Sequence, residues 1–255
     1  MTPGAIDHVV LTVRDLPGTA AFYERCIGLE PLGGDGRVRR LGAGGRVLIE
    51  LRGDPAARPR DPRQAGLFHV AILLPARADL ASWLRHAADT DLRLTGASDH
   101  GVSEAIYLDD PEGNGIEIYR DRPSDSWTRH GDRIEMTTAR LDLAALAAEA
   151  RTPWDGAPDG TIIGHVHLQV GDVDQADAFL TGDLGLTRTF DAPGAAWYGW
   201  NGYHHHLAAN TWNSHGAGRR PTGMAGLEEV VLRGLPEETI KKFDPWGNKF
   251  TRTEL

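Results

Sequence analysis

Three segments of the chain open with a histidine followed by an apolar run: His8-Val9-Val10-Leu11, His69-Val70-Ala71-Ile72 and His165-Val166-His167-Leu168. A fourth, Glu229-Val230-Val231-Leu232, carries a carboxylate where the histidine stood. Imidazole and carboxylate are both metal ligands, and imidazole is also the side chain best suited to move protons near neutral pH. Their recurrence at one position of a repeat, rather than at scattered sites, points to a shared geometry. A second element also recurs, Asp110-Pro111-Glu112-Gly113-Asn114 and Asp244-Pro245-Trp246-Gly247-Asn248, each leading into a short apolar segment.

The elements that would position these residues repeat as β-α-β-β-β. In the first copy, residues 6–13 read as a strand. A helix follows from Leu16, capped by Asp15 with Pro17 in its first turn and ended by Gly28. Glycine-rich turns then separate strands at 30–32, 37–41 and 47–51. The second copy has its strand at 67–74, a helix at 79–88 and strands near 92–94, 103–107 and 115–119. The third has a strand at 162–170, a helix at 174–180 and strands at 187–190, 195–200 and 204–209. The fourth, from Gly223 onward, is abbreviated to a first strand, a helical link at 237–242 and a last strand. Adjacent copies are expected to pair. This gives an α+β fold of four modules in two half-open barrel domains, 1–120 and 161–255, joined by a linker at 121–160 that holds a helical stretch at 141–150.

Composition narrows the function. The chain has 255 residues, a formal net charge of -9, 40% hydrophobic and 25% charged residues, as in soluble globular proteins. No basic cluster offers a footprint for nucleic acid. The lone Cys26 fits a packed thiol in a reducing compartment. The N-terminus lacks the pattern of a secretory signal, and no apolar run is long enough to span a membrane. A cytoplasmic protein is expected. The glycines near Gly33 and Gly42 to Gly45 make hairpin turns and no phosphate loop.

With these modules, the histidine-led strands and the Asp-Pro-x-Gly-Asn-x-x-Glu element, the chain resembles the vicinal oxygen chelate superfamily of glyoxalase I, bleomycin- and fosfomycin-resistance proteins and type I extradiol dioxygenases. Phe68-His69-Val70-Ala71, the stretch from Ser98 to Leu108, and Gly202-Tyr203-His204-His205-His206 look like the two-domain catechol 2,3-dioxygenase branch. The resemblance covers nearly the whole chain and weakens after about Gly223. It implies a divalent metal held by the first and last strands of each module, at His8, His69, Glu117 and, as a fourth candidate, Glu50. A carboxylate inside an apolar strand needs a positive partner, which agrees independently with ligation at Glu50 and Glu117. Glu50 admits a second reading, an inward carboxylate bonded to an arginine.

The branch implies an iron(II)-dependent oxidoreductase of aromatic catabolism that cleaves the ring of a catechol or related small aromatic with dioxygen. His100 would be an acid/base and Tyr107 a hydrogen-bond donor to the substrate. One departure stands out. The dioxygenases place a histidine on the last strand of the first module of the catalytic pair, where this chain has Glu50. A His/Glu/His/Glu set is that of glyoxalase I, so an isomerase or lyase using nickel, zinc or manganese is the alternative, and a small-molecule binding protein of the bleomycin-resistance kind is another. His165, His205 and Glu229 would form a second site or line a pocket, with His205 the inward member of the histidine triplet and Thr251 standing where the second domain should offer a carboxylate. Trp197, Trp200 and Trp212 crowd that domain beside Tyr198 and Tyr203. A homo-oligomer is left open.

Overall fold

Residue order alone predicts the modules, and the computed structural model, which describes residues 4–235 and 241–253, contains them. The first holds β1 (Ala5–Val13), α1 (Leu16–Phe22), β2 (Glu30–Gly34), β3 (Val38–Ala43) and β4 (Arg46–Gly53). The Asp15 carboxylate accepts the Gly18 amide at 3.0 Å and caps α1; a π-helical turn at Tyr23–Ile27 extends it, and Gly28 closes it at φ 84°. The second holds β5 (Gly66–Leu73), α2 (Arg77–Asp89), β6 (Leu94–Asp99), β7 (Ser103–Asp109) and β8 (Gly115–Asp121).

The connector carries three two-residue strands, β9 (Arg129–His130), β10 (Arg133–Ile134) and β11 (Ala139–Arg140), and one helical turn and a half, α3 (Leu143–Ala147). The third module follows with β12 (Ile162–Gln169), α4 (Val173–Asp177), β13 (Thr187–Ala192), β14 (Ala195–Gly199) and β15 (Leu207–Asn210). The fourth has β16 (Gly226–Arg233), β17 (Lys241–Phe243) and β18 (Lys249–Arg252). The helical link expected at 237–242 lies mostly outside the described residues, and its end belongs to β17.

The strands do not pair by chain order. One sheet of seven runs β17-β18-β16-β1-β4-β3-β2 and joins the first module to the fourth; a sheet of nine runs β11-β6-β7-β8-β5-β12-β15-β14-β13 and joins the second to the third. The central seams are antiparallel ladders between module-opening strands: β1 with β16, and β5 with β12. Each module repeats a parallel pair of its first and last strands. The repeat pattern in the sequence is indifferent to which modules meet, because every opening strand has the same apolar character. The partners therefore differ from the expected 1–120 and 161–255 units.

One apolar core runs through both sheets, with Val9 and Leu11 of β1, Val70 of β5, Leu168 of β12, and Tyr23 and Trp83 from the helical segments. Polar ties cross it. The Trp83 indole donates to the Cys26 carbonyl at 3.0 Å, and the Tyr23 hydroxyl donates to the Asp110 carboxylate at 3.2 Å. Both recurring Asp-Pro-x-Gly-Asn elements are closed turns: the Asp110 carboxylate accepts from the Glu112 and Asn114 amides and the Asn114 side chain, and Asp244 repeats this with Trp246 and Asn248. Each turn delivers the chain into the last strand of its module, β8 or β18. Among the described residues no helix is long and apolar enough to cross a membrane.

Candidate metal centre and its cavity

Because β5 and β12 run antiparallel down the middle of the nine-stranded sheet, their opening histidines meet. His69 comes from β5, His165 from β12, and Glu117 from β8, each buried. Glu117 Oε2 lies 3.0 Å from His69 Nε2 and 3.1 Å from His165 Nε2, and the two imidazole nitrogens are 3.3 Å apart. Ligand atoms set near right angles around one ion at about 2.1 Å would stand about 3 Å apart, so the three fit a single divalent metal. Among the described residues this is the one such group of histidine, cysteine or acidic side chains.

Electrostatics agree. Burial alone would raise the Glu117 carboxyl, but His165 and His69, through hydrogen bonds and through the charge they carry when protonated, hold it well below the usual carboxylate range. Burial pulls His165 down to about 4, which keeps that ring neutral at physiological pH. A carboxylate with a neutral imidazole is the protonation state a metal requires. The opposite nitrogen of His165, Nδ1, has no hydrogen-bond partner among the described residues, so the ring is oriented by tilted packing against His205 at 4.0 Å and Tyr119 at 4.9 Å.

The pseudo-symmetry of the sheet also identifies the fourth position. Glu117 pairs with Ala71, two residues after His69; the equivalent residue of the third module pairs with His167, two after His165, and is Ala208. A methyl group therefore stands where a fourth ligand would be.

His8, Glu50, Glu229 and Thr251 occupy the matching four positions of the other sheet, where Val10 pairs with Glu50 and with Glu229, and Val231 with Thr251. The structure therefore does not bring His8 or Glu50 to His69 and Glu117; the expectation fails because it paired neighbouring modules. His8 Nδ1 is 2.8 Å from Asp7. Glu50 accepts from Arg40 at 2.8 Å and from Arg52 at 2.7 Å, the arginine-bonded reading of that residue. Glu229, expected beside His165 and His205, instead accepts from Lys249 at 2.7 Å and from the Thr251 hydroxyl.

A cavity of about 550 Å³ opens over the triad, and His100, Tyr107, His167 and His205 also line it. His100 Nδ1 donates to the Thr137 carbonyl at 2.7 Å, so in its neutral form Nε2 accepts from the Tyr107 hydroxyl at 2.7 Å. Burial and then the Glu117 charge push the Tyr107 phenol well above its ordinary value, so it remains a donor.

On the opposite wall, the triplet precedes β15 rather than forming its start. His204 Nε2 donates to Asp121 at 2.8 Å, and Tyr203 donates to the other Asp121 oxygen at 2.7 Å. The remaining His204 nitrogen, Nδ1, lies 2.7 Å from His205 Nδ1. With His204 neutral it must accept there, so His205 carries its proton on Nδ1 and leaves Nε2 bare. Sequence analysis gives His165 and His205 as members of a second site or of a pocket lining, with His205 inward, and both line this cavity; it does not single out His167 or Ala208. Only the pairing of the modules could have revealed them.

Residues 5–118 match the model of the Glyoxalase/Bleomycin resistance protein/Dioxygenase superfamily. A catechol-2,3-dioxygenase of Bacillus subtilis is 39% identical over 233 residues, 89% of this chain and 81% of that protein. The chain belongs to the glyoxalase/bleomycin resistance/dioxygenase superfamily. Within this superfamily, biphenyl-2,3-diol 1,2-dioxygenase 3 of Rhodococcus globerulus is 27% identical over 151 residues, 56% of this chain and 80% of that enzyme. Glyoxalase I from Zea mays shares the fold, with a TM-score of 0.59 at 17% identity over 98% of this chain and 92% of that one. The superfamily's curled mixed sheets are those described above.

Proposed function

We propose that the chain is an extradiol-type ring-cleaving dioxygenase that binds iron(II) through His69, His165 and Glu117 and acts on a small catecholic aromatic with dioxygen. The observation that carries this reading is the convergence of two imidazoles and one carboxylate with Ala208 at the fourth symmetric position. Two histidines and one carboxylate on one face are the donor set of non-haem iron(II) oxygenases, and iron held this way supplies open positions for both reactants and access to dioxygen chemistry. A glyoxalase-type set would need a carboxylate in place of Ala208, and Glu50 belongs to the other sheet. Relatives described as dioxygenases of catechol and biphenyl-2,3-diol support the same choice.

The protein's own residues divide the remaining work. The bare Nε2 of His205 is placed to accept a proton from a substrate hydroxyl. His204 and Asp121 behind it fix the productive tautomer and stabilise the protonated ring. On the other wall, when His100 is protonated its Nε2 donates to the Tyr107 oxygen and frees the single Tyr107 hydroxyl proton to donate toward substrate oxygen, so His100 acts through Tyr107. Phe68, flanking His69, shields the centre from water.

The test is anaerobic purification, loading with iron(II), and an oxygen-electrode screen of substituted catechols. One dioxygen consumed per catechol, with a ring-opened product by mass spectrometry, is expected. Full iron loading without oxygen uptake from any catechol would sink the proposal.

A further inference from the structure

The floor of the cavity is bare on one side of the triad. Gly115 of β8 lies in the sheet between Asp109 of β7 and His69 of β5, pairing with both, and all three line the cavity. Gly115 places no side chain between the Asp109 carboxylate and the His69 ring in that row. A Cβ there would lie 2.2 Å from the Phe68 carbonyl oxygen, so the close approach of the strands keeps the position a glycine. Asp109 also shares a strand face with Tyr107, two residues before it and about 7 Å away.

Asp109 is exposed, and its carboxylate has no hydrogen-bond or ion-pair partner among the described residues. Arg60 is within electrostatic reach, but its guanidinium donates to the Gly113 and Leu67 carbonyls, and it answers Asp110 more strongly than Asp109. Among the described residues no arginine or lysine lines the cavity. Glu117 faces the candidate metal, which leaves Asp109 as the uncompensated carboxylate of the lining. Beyond Gly115, a bulge in the β5–β12 ladder puts Phe68 on the cavity face beside His69, and its ring meets that of Trp212 at 5.4 Å. Aromatic faces attract a cation as well. A cavity of about 550 Å³ holds more than one dihydroxybenzene ring, so a substituent fits beside the catechol head.

We propose that the site selects catechols carrying a short cationic arm, a primary ammonium one or two carbons from the ring, which crosses Gly115 and pairs with Asp109. The catechol head rests on the dioxygenase reading; the ammonium subsite does not. An anionic arm meets uncompensated negative charge in the same place, and a neutral arm leaves Asp109 without a partner as the ligand displaces its water.

Two experiments separate these readings. In the first, the full-length protein is titrated by calorimetry at low ionic strength with tyramine, 4-ethylphenol and 3-(4-hydroxyphenyl)propanoate, monophenols that do not chelate and that differ in the charge of the arm. Tyramine should bind about fivefold tighter than 4-ethylphenol, the scale of one partly exposed ion pair, with the propanoate weakest. Asp109→Asn should erase the tyramine preference, and Asp109→Lys should turn it toward the propanoate. Equal affinities in the parent protein, or a tyramine preference that survives Asp109→Asn, would overturn the inference. In the second, oxygen uptake by the iron-loaded protein is compared for 4-(2-aminoethyl)catechol, 4-ethylcatechol and 3-(3,4-dihydroxyphenyl)propanoate, with kcat/KM expected to fall in that order. A tyramine preference without oxygen uptake from any of the three would keep the ammonium subsite and remove the dioxygenase. Oxygen uptake with the propanoate as the best substrate would keep the dioxygenase and overturn the subsite.

Discussion

At the scale of single residues, what a side chain can do is decided by what already occupies its polar atoms. Glu50 and Glu117 sit at equivalent positions in apolar strands, yet two arginines satisfy Glu50 while Glu117 meets the imidazoles of His69 and His165. His165→Ala should therefore abolish stoichiometric metal, whereas Glu50→Gln should retain it, as read by metal analysis of the purified variants. Retention by the first and loss by the second would return the site to the other sheet. His205→Phe should keep the metal and lower turnover by roughly 10² or more, the usual loss when a positioned base is removed; turnover unchanged in oxygen uptake would make it a wall residue. The residue types were legible in the sequence, since His69 and Glu117 are recognisable from their apolar flanks. Their third companion was not, because His8 and His165 open near-identical strands and nothing local ranks one above the other.

At the scale of elements, the turns and strand pairs hold the site by satisfying buried polar groups. Asp110 accepts hydrogen bonds from Tyr23 of the first module and from Glu112 and Asn114 of its own turn, and β8 with Glu117 follows directly. Asp110→Ala leaves those donors unpaired and should cost about 2–4 kcal/mol in denaturant unfolding, with weaker metal binding. A loss below about 0.5 kcal/mol would show the turn to be held by its backbone alone. The strand pair β3–β4 makes a prediction in pH. Burial raises the Glu50 carboxyl, but hydrogen bonds from Arg52 and Arg40 outweigh it and leave its pKa lowered. A lowered carboxyl contributes stability above its unfolded pKa, about 4.3, and loses that contribution as pH falls through the folded value. Glu50→Gln should thus be less stable than the parent at pH 7, and the difference should shrink below about pH 4. A difference constant from pH 7 to 3 in parallel unfolding curves would refute the charge-based account. The β-α-β-β-β order and the caps at Asp15 and Gly28 were legible because they rest on local preferences.

At the scale of the molecule, the pairing of modules decides everything about the centre, and it is a long-range property. Apolar opening strands were identifiable in each quarter of the sequence, but their ladders bring β1 to β16 across most of the chain and β5 to β12 across a whole module and the connector. Cutting between residues 122 and 123 therefore divides both sheets along their central seams and also separates β11 from β6. The fragment 1–122 keeps His8, Glu50, His69 and Glu117, the full set expected from chain order, but lacks His165 and exposes the paired edges of β1 and β5. Open strand edges with apolar faces associate nonspecifically, so this fragment alone should aggregate and bind no stoichiometric metal. Co-expressed with 123–255, which supplies β12 and β16, it should assemble into a soluble heterodimer that binds one metal per pair, and His165→Ala in the second fragment should abolish that binding without preventing assembly. Native mass spectrometry with metal analysis reads both results. One metal per chain in isolated, soluble 1–122 would show that the first two modules form the centre after all.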